Sequence, residues 1–289
     1  MDFTIRPARA DDADAVGEFT ANTFEWGDYV TDVFDYWLRS HTGLLLVAAN
    51  EQDRAVAISR GEMLSPAEMW LQGTRVGEEW RRRGVASALS RALVEWGVNS
   101  GARVARLLTE VWNEPAQRQV ETIGFRRSSE WIAADLGISA SEPVMSGNGG
   151  QRAKARRKLE VAHSSEAVPA WVSWRSGPLL RPARGLHASG WRWSQLTAEH
   201  LIAAGKKGRL WSSQAGWAVT RRDDEVLYID WLECGPDDAM DMVRSIIDLA
   251  QESEADRLRV MAPQVDWLIS ALERCGGEML RMYLYEKPL

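Results

Sequence analysis

The chain has 289 residues, of which 45% are hydrophobic and 26% are charged, and its formal net charge at pH 7 is −6. This composition is close to the average of globular proteins, and the length allows one large domain or two ordinary ones. The acidic balance argues against a general nucleic-acid binder, because such proteins need a basic surface. Two cysteines cannot form a disulfide framework, and four scattered histidines lack paired zinc-ligand spacing, so no metal site is expected.

Targeting signals are not evident at the start of the sequence. The segment from Met1 to Arg9 lacks the apolar core of a signal peptide, and no apolar run approaches the roughly 18 residues that span a bilayer. We therefore expect a cytoplasmic protein without a membrane partner, as a monomer or a homodimer.

The first sixty residues contain apolar patterns of both the strand and the helix period. The predicted elements are, in order, a strand at 3–7 that ends in a proline, a helix from Asp11 or Asp12 to about Thr23, a short helix at 30–38, and a hairpin of strands at 44–49 and 54–62.

The next stretch combines an apolar strand over 69–76, a polar loop and an amphipathic helix that begins at Val85. Three consecutive arginines precede Gly84, so the first free N–H groups of the helix lie where small residues let a ligand come close. A helix N-terminus attracts anions, and it is normally a poor place for cations. This arrangement indicates a bound anion such as a diphosphate, and the alternative is a solvated basic turn.

A second strand follows the amphipathic helix, which ends near Gly97, and it covers residues 105–111. The spacing of strand, helix and strand predicts a parallel pair joined by a right-handed crossover, with a ligand at the carboxyl ends of both strands. Asn113 and Pro115 then open another helix, which ends before Gly124.

The run VGEEWRRRGVASAL, from Val76 to Leu89, resembles the acetyl-CoA signature of the GNAT acetyltransferase superfamily. In that signature an Arg or Gln is followed, after two residues of any type, by a Gly, and after one further residue by a Gly or Ala. Here Arg81, Gly84 and Ala86 take these positions. A second motif, Asn113 with an alanine three residues on and a helix ending in Gly-Phe, also resembles the superfamily.

The resemblance implies acetyl-CoA (CoA) as cofactor, with the pantetheine arm held by Asn113. The implied cofactor contacts are Val76, Arg81, Arg82, Arg83, Gly84, Val85, Ala86, Ser87 and Asn113. It also implies that the two N-terminal helices wall the acceptor site, where Glu25, Trp26, Asp28 and Tyr29 touch substrate. A capped loop with packed aromatic residues is the alternative for those four residues.

One position departs from the superfamily pattern. Many members carry a tyrosine four residues after the alanine of the second motif, and this tyrosine protonates the leaving CoA thiolate. This sequence has Val120 at that position, and a valine cannot donate a proton. For the base that accepts the amine proton, the sequence offers Glu110 near a strand end, with Glu62 and Glu68 as alternatives. Each of the three is otherwise a surface or ion-pair residue.

The second half of the chain repeats the order of elements of the first. From residue 196 the predicted order is a helix at 196–204 capped by Ser194, strands at 209–213, 216–221 and 226–232, a helix at 236–253, a strand at 258–262, a helix at 265–274 and a strand at 279–286. In place of the cofactor loop stands CGPDD, and its carboxylates Asp237 and Asp238 at a helix N-terminus would repel a diphosphate.

These patterns predict an α/β (α+β) protein of two GNAT-like domains. Each domain has a mixed, mostly antiparallel sheet flanked by helices, with a parallel pair at the cofactor site. The expected domains are 1–136 with the acetyl-CoA site, a linker at 137–165 that includes the basic run Arg152 to Lys158, and a degenerate domain at 166–289 without a cofactor loop.

The resemblance implies transfer of an acetyl group from acetyl-CoA to a primary amine of a small molecule, amino acid or peptide by direct attack. One alternative is an acyl-CoA-binding sensor or pseudoenzyme with little turnover, which the absent tyrosine favours. Another is aminoacyl transfer from charged tRNA, which the tandem architecture and the basic run favour and the intact cofactor loop opposes. Nucleic acid is not an expected partner, and the acidic chain favours a cationic acceptor.

Overall fold

The computed structural model describes residues 2–21, 23, 27–138 and 158–289. Two compact units make up the chain, of which unit 1 comprises residues 1–128 with 284–289 and unit 2 comprises residues 129–283. The predicted substrate residues Glu25 and Trp26 lie outside the described residues, as does the basic run except for Lys158.

The compact units do not follow the predicted domain limits in every respect. The first unit ends earlier than residue 136, and the last six residues of the chain belong to it rather than to the second unit. A local sequence pattern specifies a strand but not which distant strand it pairs with. The division into two domains and a linker stays a prediction.

The helices and strands of the first half of the chain follow the predicted order. They are β1 (Thr4–Pro7), α1 (Ala13–Thr20), α2 (Val30–Arg39), β2 (Gly43–Ala49), β3 (Ala55–Ser65), β4 (Glu68–Val76), α3 (Val85–Asn99), β5 (Val104–Glu110), α4 (Glu114–Thr122) and β6 (Arg126–Gly137). The first helix starts after a short 3-10 turn, and the Asp12 carboxylate, expected as its cap, instead accepts from the Arg6 guanidinium and the Arg9 N–H.

Unit 1 is organised around a mixed sheet. The strand order is β1-β2-β3-β4-β5, with the end of the last strand of the chain beside β5. The first four strands pair antiparallel, whereas β4 and β5 pair parallel, as their spacing around α3 predicts. The helices α1 and α2 pack on this sheet through one buried cluster. Val16 belongs to α1, and Phe34 and Trp37, three residues apart, lie on one face of α2.

The strand β4 contains a bulge in the middle of its length. Ile58 faces Arg75 and Arg60 faces Gln72, so Gly73 and Thr74 together oppose one residue of β3. Gly73 has φ +67°, and a Cβ there would lie 2.5 Å from the Trp37 ring. Both the backbone conformation and the close approach of the ring therefore require glycine.

The end of the chain attaches to unit 1 through charged and polar contacts. Arg106, 4% exposed on β5, donates from Nε to Glu286 at 2.7 Å and also pairs with Glu68 on β4. The Tyr285 hydroxyl donates to Glu121 at 2.9 Å. The last residues of the chain are therefore part of the fold of unit 1.

The helices and strands after residue 158 repeat the strand–helix–strand pattern. They are β7 (Glu160–Val161), α5 (Ala167–Ser176), α6 (Leu180–Ala183), β8 (Leu186–Ala188), β9 (Trp193–Gln195), α7 (Ala198–Lys206), β10 (Leu210–Ser213), β11 (Gly216–Asp223), β12 (Val226–Cys234), α8 (Ala239–Glu252), β13 (Arg257–Pro263), α9 (Asp266–Arg274) and β14 (Glu278–Pro288). The cap of α7 is Thr197, not Ser194, because the Thr197 hydroxyl accepts from the His200 N–H.

Unit 2 has its own mixed sheet in the order β6-β13-β12-β11-β10-β7, and β8 pairs with β9 in a separate hairpin. Its strands β12 and β13 are parallel, and the other registered pairs are antiparallel. The predicted fold class, mixed and mostly antiparallel sheets flanked by helices with one parallel pair in each half, is confirmed. Among the helices that the structure describes, none combines the length and apolarity of a membrane span.

Candidate functional site

The arginine-rich loop of unit 1 joins the carboxyl end of β4 to the start of α3. After Val76 the chain forms a 3-10 turn at Glu78–Trp80, and Gly84 then takes the N-cap position of α3 with φ +78°. A Cβ built on Gly84 meets no atom within 4 Å, so the loop leaves open space at the helix start. The N–H groups of the first helical turn have no intrahelical acceptor, so they are available to a ligand at the helix start.

The three guanidinium groups of the loop are exposed around that helix start. Arg81 donates from Nε to the Val76 carbonyl at 3.2 Å, and the Arg83 guanidinium lies 5.7 Å from the centre of the Trp80 ring. Arg82 has φ +61°, a conformation that favours glycine, so the turn is tightly bent at this residue. The loop therefore presents positive charge and free N–H donors together, which is the chemistry of a diphosphate site.

The strands that flank this loop diverge toward the same end of the sheet. The register of β4 with β5 includes only three pairs, from Glu68–Val104 to Trp70–Arg106. The remaining residues of both strands, up to Val76 and Glu110, continue without a registered pair between them. Parallel strands that separate toward their carboxyl ends leave backbone N–H and C=O groups for a ligand.

The far wall of this opening is the start of α4. The Asn113 side chain accepts from the Ala116 N–H at 3.2 Å, so its oxygen serves as the helix cap. Gln117 donates to the carbonyls of Glu110 and Val111 at 3.1 and 2.9 Å, which ties the helix to the end of β5. The capping function that the sequence allows for Asn113 is thus present.

Two of the three candidate bases belong to ion pairs. Glu62 lies 3.5 Å from the buried Arg60 guanidinium, and Glu68 pairs with Arg106. Glu110, half-buried at the carboxyl end of β5, has no ion pair with a described residue. Of the three carboxylates, Glu110 is the one placed at the strand opening without a structural partner for its charge.

Asp28 and Tyr29, which the family resemblance places at the acceptor site, form a cluster with Arg75, a partner that the sequence did not predict. Asp28, just before α2, forms an ion pair with Arg75 on β4, with Nε 2.5 Å from Oδ2, and its other oxygen accepts from the Val30 N–H. The Arg75 guanidinium lies 5.5 Å from the centre of the Tyr29 ring, and Tyr29 packs edge-on against Trp37 at 5.9 Å. The link to Arg75 was not readable, because the two segments are 47 residues apart.

The hydroxyl of Tyr29 responds to the charges around it. Burial raises the pKa of Tyr29 above its ordinary value; the positive charge of Arg75 opposes this, and the negative charges of Asp28 and Glu110 add to it. The Tyr29 side chain is nevertheless 37% exposed. The phenol is therefore partly open to solvent, and the negative charge of Glu110 contributes to the rise of its pKa.

Val120 occupies a buried position on α4, with 5% of its surface exposed. Its neighbour Gln119 faces α3, with Nε2 3.5 Å from the Ser87 hydroxyl and 3.4 Å from the Ser90 hydroxyl. These contacts hold α4 against the start of α3, close to the cofactor loop. Ser87, a predicted cofactor contact, thus also joins the two helices.

The corresponding loop of unit 2 has a different chemistry. After β12, Gly235 begins a 3-10 turn at Pro236–Asp238, and Asp238 takes the N-cap position of α8 without a side-chain cap bond. Negative side chains replace the arginines at this helix start, and the helix dipole is satisfied internally. Among the described residues, no group of three or more His, Cys, Asp or Glu side chains could hold a metal ion.

Residues 14–125 match a family model, the Acetyltransferase (GNAT) family. This range includes the arginine-glycine loop, the diverging strands and the Gly-Phe segment after α4. The match covers less than half of the chain, and over this range it confirms the resemblance to the GNAT acetyltransferase superfamily that was based on Arg81, Gly84 and Ala86. No curated protein sequence matches the chain.

Solved structures share the fold over nearly the whole chain. A GCN5-related N-acetyltransferase from Sphaerobacter thermophilus has 12% identity and a TM-score of 0.66, covering 99% of this chain and 95% of that one. One from Kribbella flavida has 14% identity and a TM-score of 0.52, covering 100% and 71%. A tandem GNAT protein from the clavulanic acid biosynthesis pathway has 14% identity and a TM-score of 0.59, covering 99% and 98%. Such low identities show the fold alone.

Proposed function

We propose that this protein is an acetyl-CoA-dependent N-acetyltransferase with one cofactor site, in unit 1. The observation that carries the proposal is the exposed arginine loop at the start of α3, directly beside the diverging ends of β4 and β5, within a domain of the GNAT family. The loop supplies donors and positive charge for the diphosphate of CoA, and the opening between the strands receives the pantetheine arm.

The cofactor contacts follow from this placement. The first turn of α3, from Val85 to Ser87, and the arginines before it hold the diphosphate, while Gly84 leaves the space for its approach. Backbone donors near Val76 polarise the thioester carbonyl. Asn113 holds the pantetheine through the part of its amide that does not cap α4.

The reaction is direct attack of the acceptor nitrogen on the thioester carbonyl. The nitrogen attacks as the neutral amine, and Glu110 takes the proton that the nitrogen loses as the C–N bond forms, because it lies at the strand opening without an ion-pair partner among the described residues. The acceptor is a primary amine of a small molecule, amino acid or peptide, with a positive charge that suits an acidic chain. The cytoplasm remains the expected location.

Unit 2 supports this activity without a cofactor of its own. Asp237 and Asp238 stand where the diphosphate would lie, and their charge repels it. We therefore expect one CoA per chain.

Isothermal titration of the full chain with acetyl-CoA and CoA tests the cofactor site. The double substitution Arg81→Glu and Arg83→Glu should abolish binding, because it turns two attractive charges into repulsive ones at an anion site. The double substitution Arg39→Glu and Arg118→Glu, at exposed positions on α2 and α4, is the matched charge control and should bind CoA like the wild type. Unchanged affinity in the double variant would refute the site assignment, and two sites per chain would refute the account of unit 2.

A second function, an acyl-CoA sensor with little turnover, is favoured by one observation. The buried Val120 cannot protonate a thiolate at the position where many superfamily members do so. Thiol release measured over a panel of amines separates the two functions. Tight CoA binding with no release above the acetyl-CoA hydrolysis background would establish the sensor.

A further inference from the structure

We propose that Tyr29 is the proton donor to the leaving CoA thiolate in unit 1. This inference rests on the proposed function, transfer from acetyl-CoA, and it assigns a catalytic residue to the step that the sequence leaves without one. The donor would come from the N-terminal end of α2 and not from α4.

The side of the site formed by α4 offers no proton at the expected position. Val120 is apolar and buried, and the neighbouring Gln119 amide is directed to Ser87 and Ser90 on α3. An amide does not act as an acid at neutral pH. A donor must therefore reach the leaving sulfur from another wall of the strand opening.

Tyr29 lies at that opening. Its ring contacts the guanidinium of Arg75, the residue before Val76 at the carboxyl end of β4. The phenol is thus near the carboxyl end of β4, and the negative charge of Glu110, at the carboxyl end of β5, contributes to the rise of its pKa. In the proposed complex the thioester is held between the ends of these two strands.

The surroundings of Tyr29 keep its phenol protonated at neutral pH. Burial raises the pKa of the phenol above its ordinary value and the charges of Asp28 and Glu110 add to this, whereas the positive charge of Arg75 opposes it and favours release of the proton. The Arg75 cation is positioned to stabilise the phenolate after transfer. The edge-on contact with Trp37 and the Asp28–Arg75 ion pair hold the ring and the cation in place.

The other tyrosines of unit 1 do not have these properties. Tyr36 is 64% exposed on α2, and its ring lies 5.8 Å from the buried guanidinium of Arg60. Tyr285 is buried, and its hydroxyl donates to Glu121 on α4. Among the described tyrosines of this unit, Tyr29 is therefore the one that combines a partly exposed side chain with a contact at the carboxyl end of β4.

The proton transfers balance over one reaction cycle. The amine nitrogen forms the C–N bond, the C–S bond breaks, and its electron pair stays on sulfur. The phenol of Tyr29 gives its proton to this sulfur, and Glu110 takes the proton that the nitrogen loses. Glu110 then returns a proton to the Tyr29 phenolate, so the net transfer is from the amine to the thiol of CoA.

Tyr29→Phe tests the assignment, because it removes the hydroxyl and keeps the ring contacts with Trp37 and Arg75. We expect kcat to fall by on the order of 100-fold or more, with unchanged CoA affinity by titration calorimetry. The fall at the basic side of the pH–rate profile should disappear as well. Tyr36→Phe is the matched control, and it should keep the wild-type rate and profile.

A binding measurement covers the case in which no acceptor amine gives turnover. The thiolate absorbance of bound CoA is followed against pH in the wild type and in Tyr29→Phe. A phenol that donates to the thiolate stabilises it, so loss of the hydroxyl should raise the pKa of the bound thiol. If the variant misfolds, a fluorinated tyrosine with a more acidic phenol replaces Tyr29, and the basic side of the pH–rate profile or the titration of the bound thiol should shift.

The outcomes separate the two proposals. No binding of acetyl-CoA to the wild type would refute the proposed function and this inference with it. Wild-type binding, together with equal rates and equal thiol titrations in Tyr29→Phe, would refute the donor role alone.

Discussion

Glu233 in unit 2 provides a prediction about stability that needs no ligand. It lies near the end of β12, is 3% exposed, and its Oε2 has no hydrogen-bond partner among the described residues. The side chain packs so closely on Gly177, just after α5, that a Cβ there would overlap Oε1 of Glu233. Burial raises the pKa of Glu233 from its ordinary value of 4.5 to about 8. The folded protein therefore holds this carboxyl in its neutral form at pH 7.

The sign of the effect on stability follows from the raised pKa. Below the unfolded pKa the group is protonated in both states and has no effect. Above it the unfolded chain loses the proton while the folded chain keeps it, so stability falls as pH rises, until the folded pKa near 8 is passed. At about 1.4 kcal/mol per pH unit, raising the pH from 5 to 7 removes about 2.5 kcal/mol from the free energy of unfolding.

Glu233→Gln removes the titration and keeps the shape of the side chain. We expect the variant to be more stable than the wild type at pH 7 to 8, by up to about 3 kcal/mol, with little difference near pH 4.5. Two units need not unfold together, so a global melting curve is not sufficient. Hydrogen exchange, measured by mass spectrometry on peptides from β12 at several pH values and corrected for the intrinsic exchange rate, reports the opening free energy of this strand.

The control variant is Glu273→Gln, which changes an exposed carboxylate on α9 of the same unit. It should leave the pH dependence of β12 protection unchanged. If Glu233→Gln shows the same pH dependence and the same protection as the wild type, the buried neutral carboxyl is refuted.

Two substitutions in unit 1 test the packing that shapes the site. Arg106→Met should lower the free energy of unfolding by about 3 to 5 kcal/mol, because it leaves the Glu68 and Glu286 carboxylates without their shared cation. Urea denaturation measures this free energy, and a loss below about 1 kcal/mol would contradict the prediction. Gly73→Ala should lower the free energy of unfolding by about 2 to 4 kcal/mol, because φ +67° is strained for alanine and the new Cβ overlaps the Trp37 ring. Thermal unfolding of the variant with and without CoA measures this loss. An unchanged melting temperature would show that the bulge relaxes without strain.

Much of the fold was readable from local patterns. The β2–β3 hairpin and the β4–α3–β5 crossover were predicted because the apolar period switches from two to 3.6 residues and the turn residues mark the boundaries. Gly84 was also identified from a local pattern, since a glycine directly before a run of helical period marks the start of a helix. The helices and strands between residues 160 and 195 were missed. Most of them have only two to four residues, and the ten-residue helix α5 carries apolar residues on its exposed face as well, so it shows no clear period.

The candidate site was readable only in part. The arginine loop is contiguous in sequence, so its charge and its place at a helix start follow from the sequence alone. Tyr29 was noticed through a family resemblance, but its partner Arg75 was not, because the Asp28–Arg75 pair joins segments 47 residues apart. The bulge at Gly73 was also missed, since a bulge is a property of two paired strands.

By itself, the sequence determined the order of most of the longer elements, the GNAT resemblance of the first domain and the loop that opens α3, because each of these depends on residues close together in the chain. The tertiary structure alone decided which distant groups meet. Arg106 pairs with Glu286 across 180 positions, and burial gives Glu233 a pKa near 8. Contacts of this kind depend on which faces pack together, and burial changes the charge state of a side chain that looks ordinary in sequence.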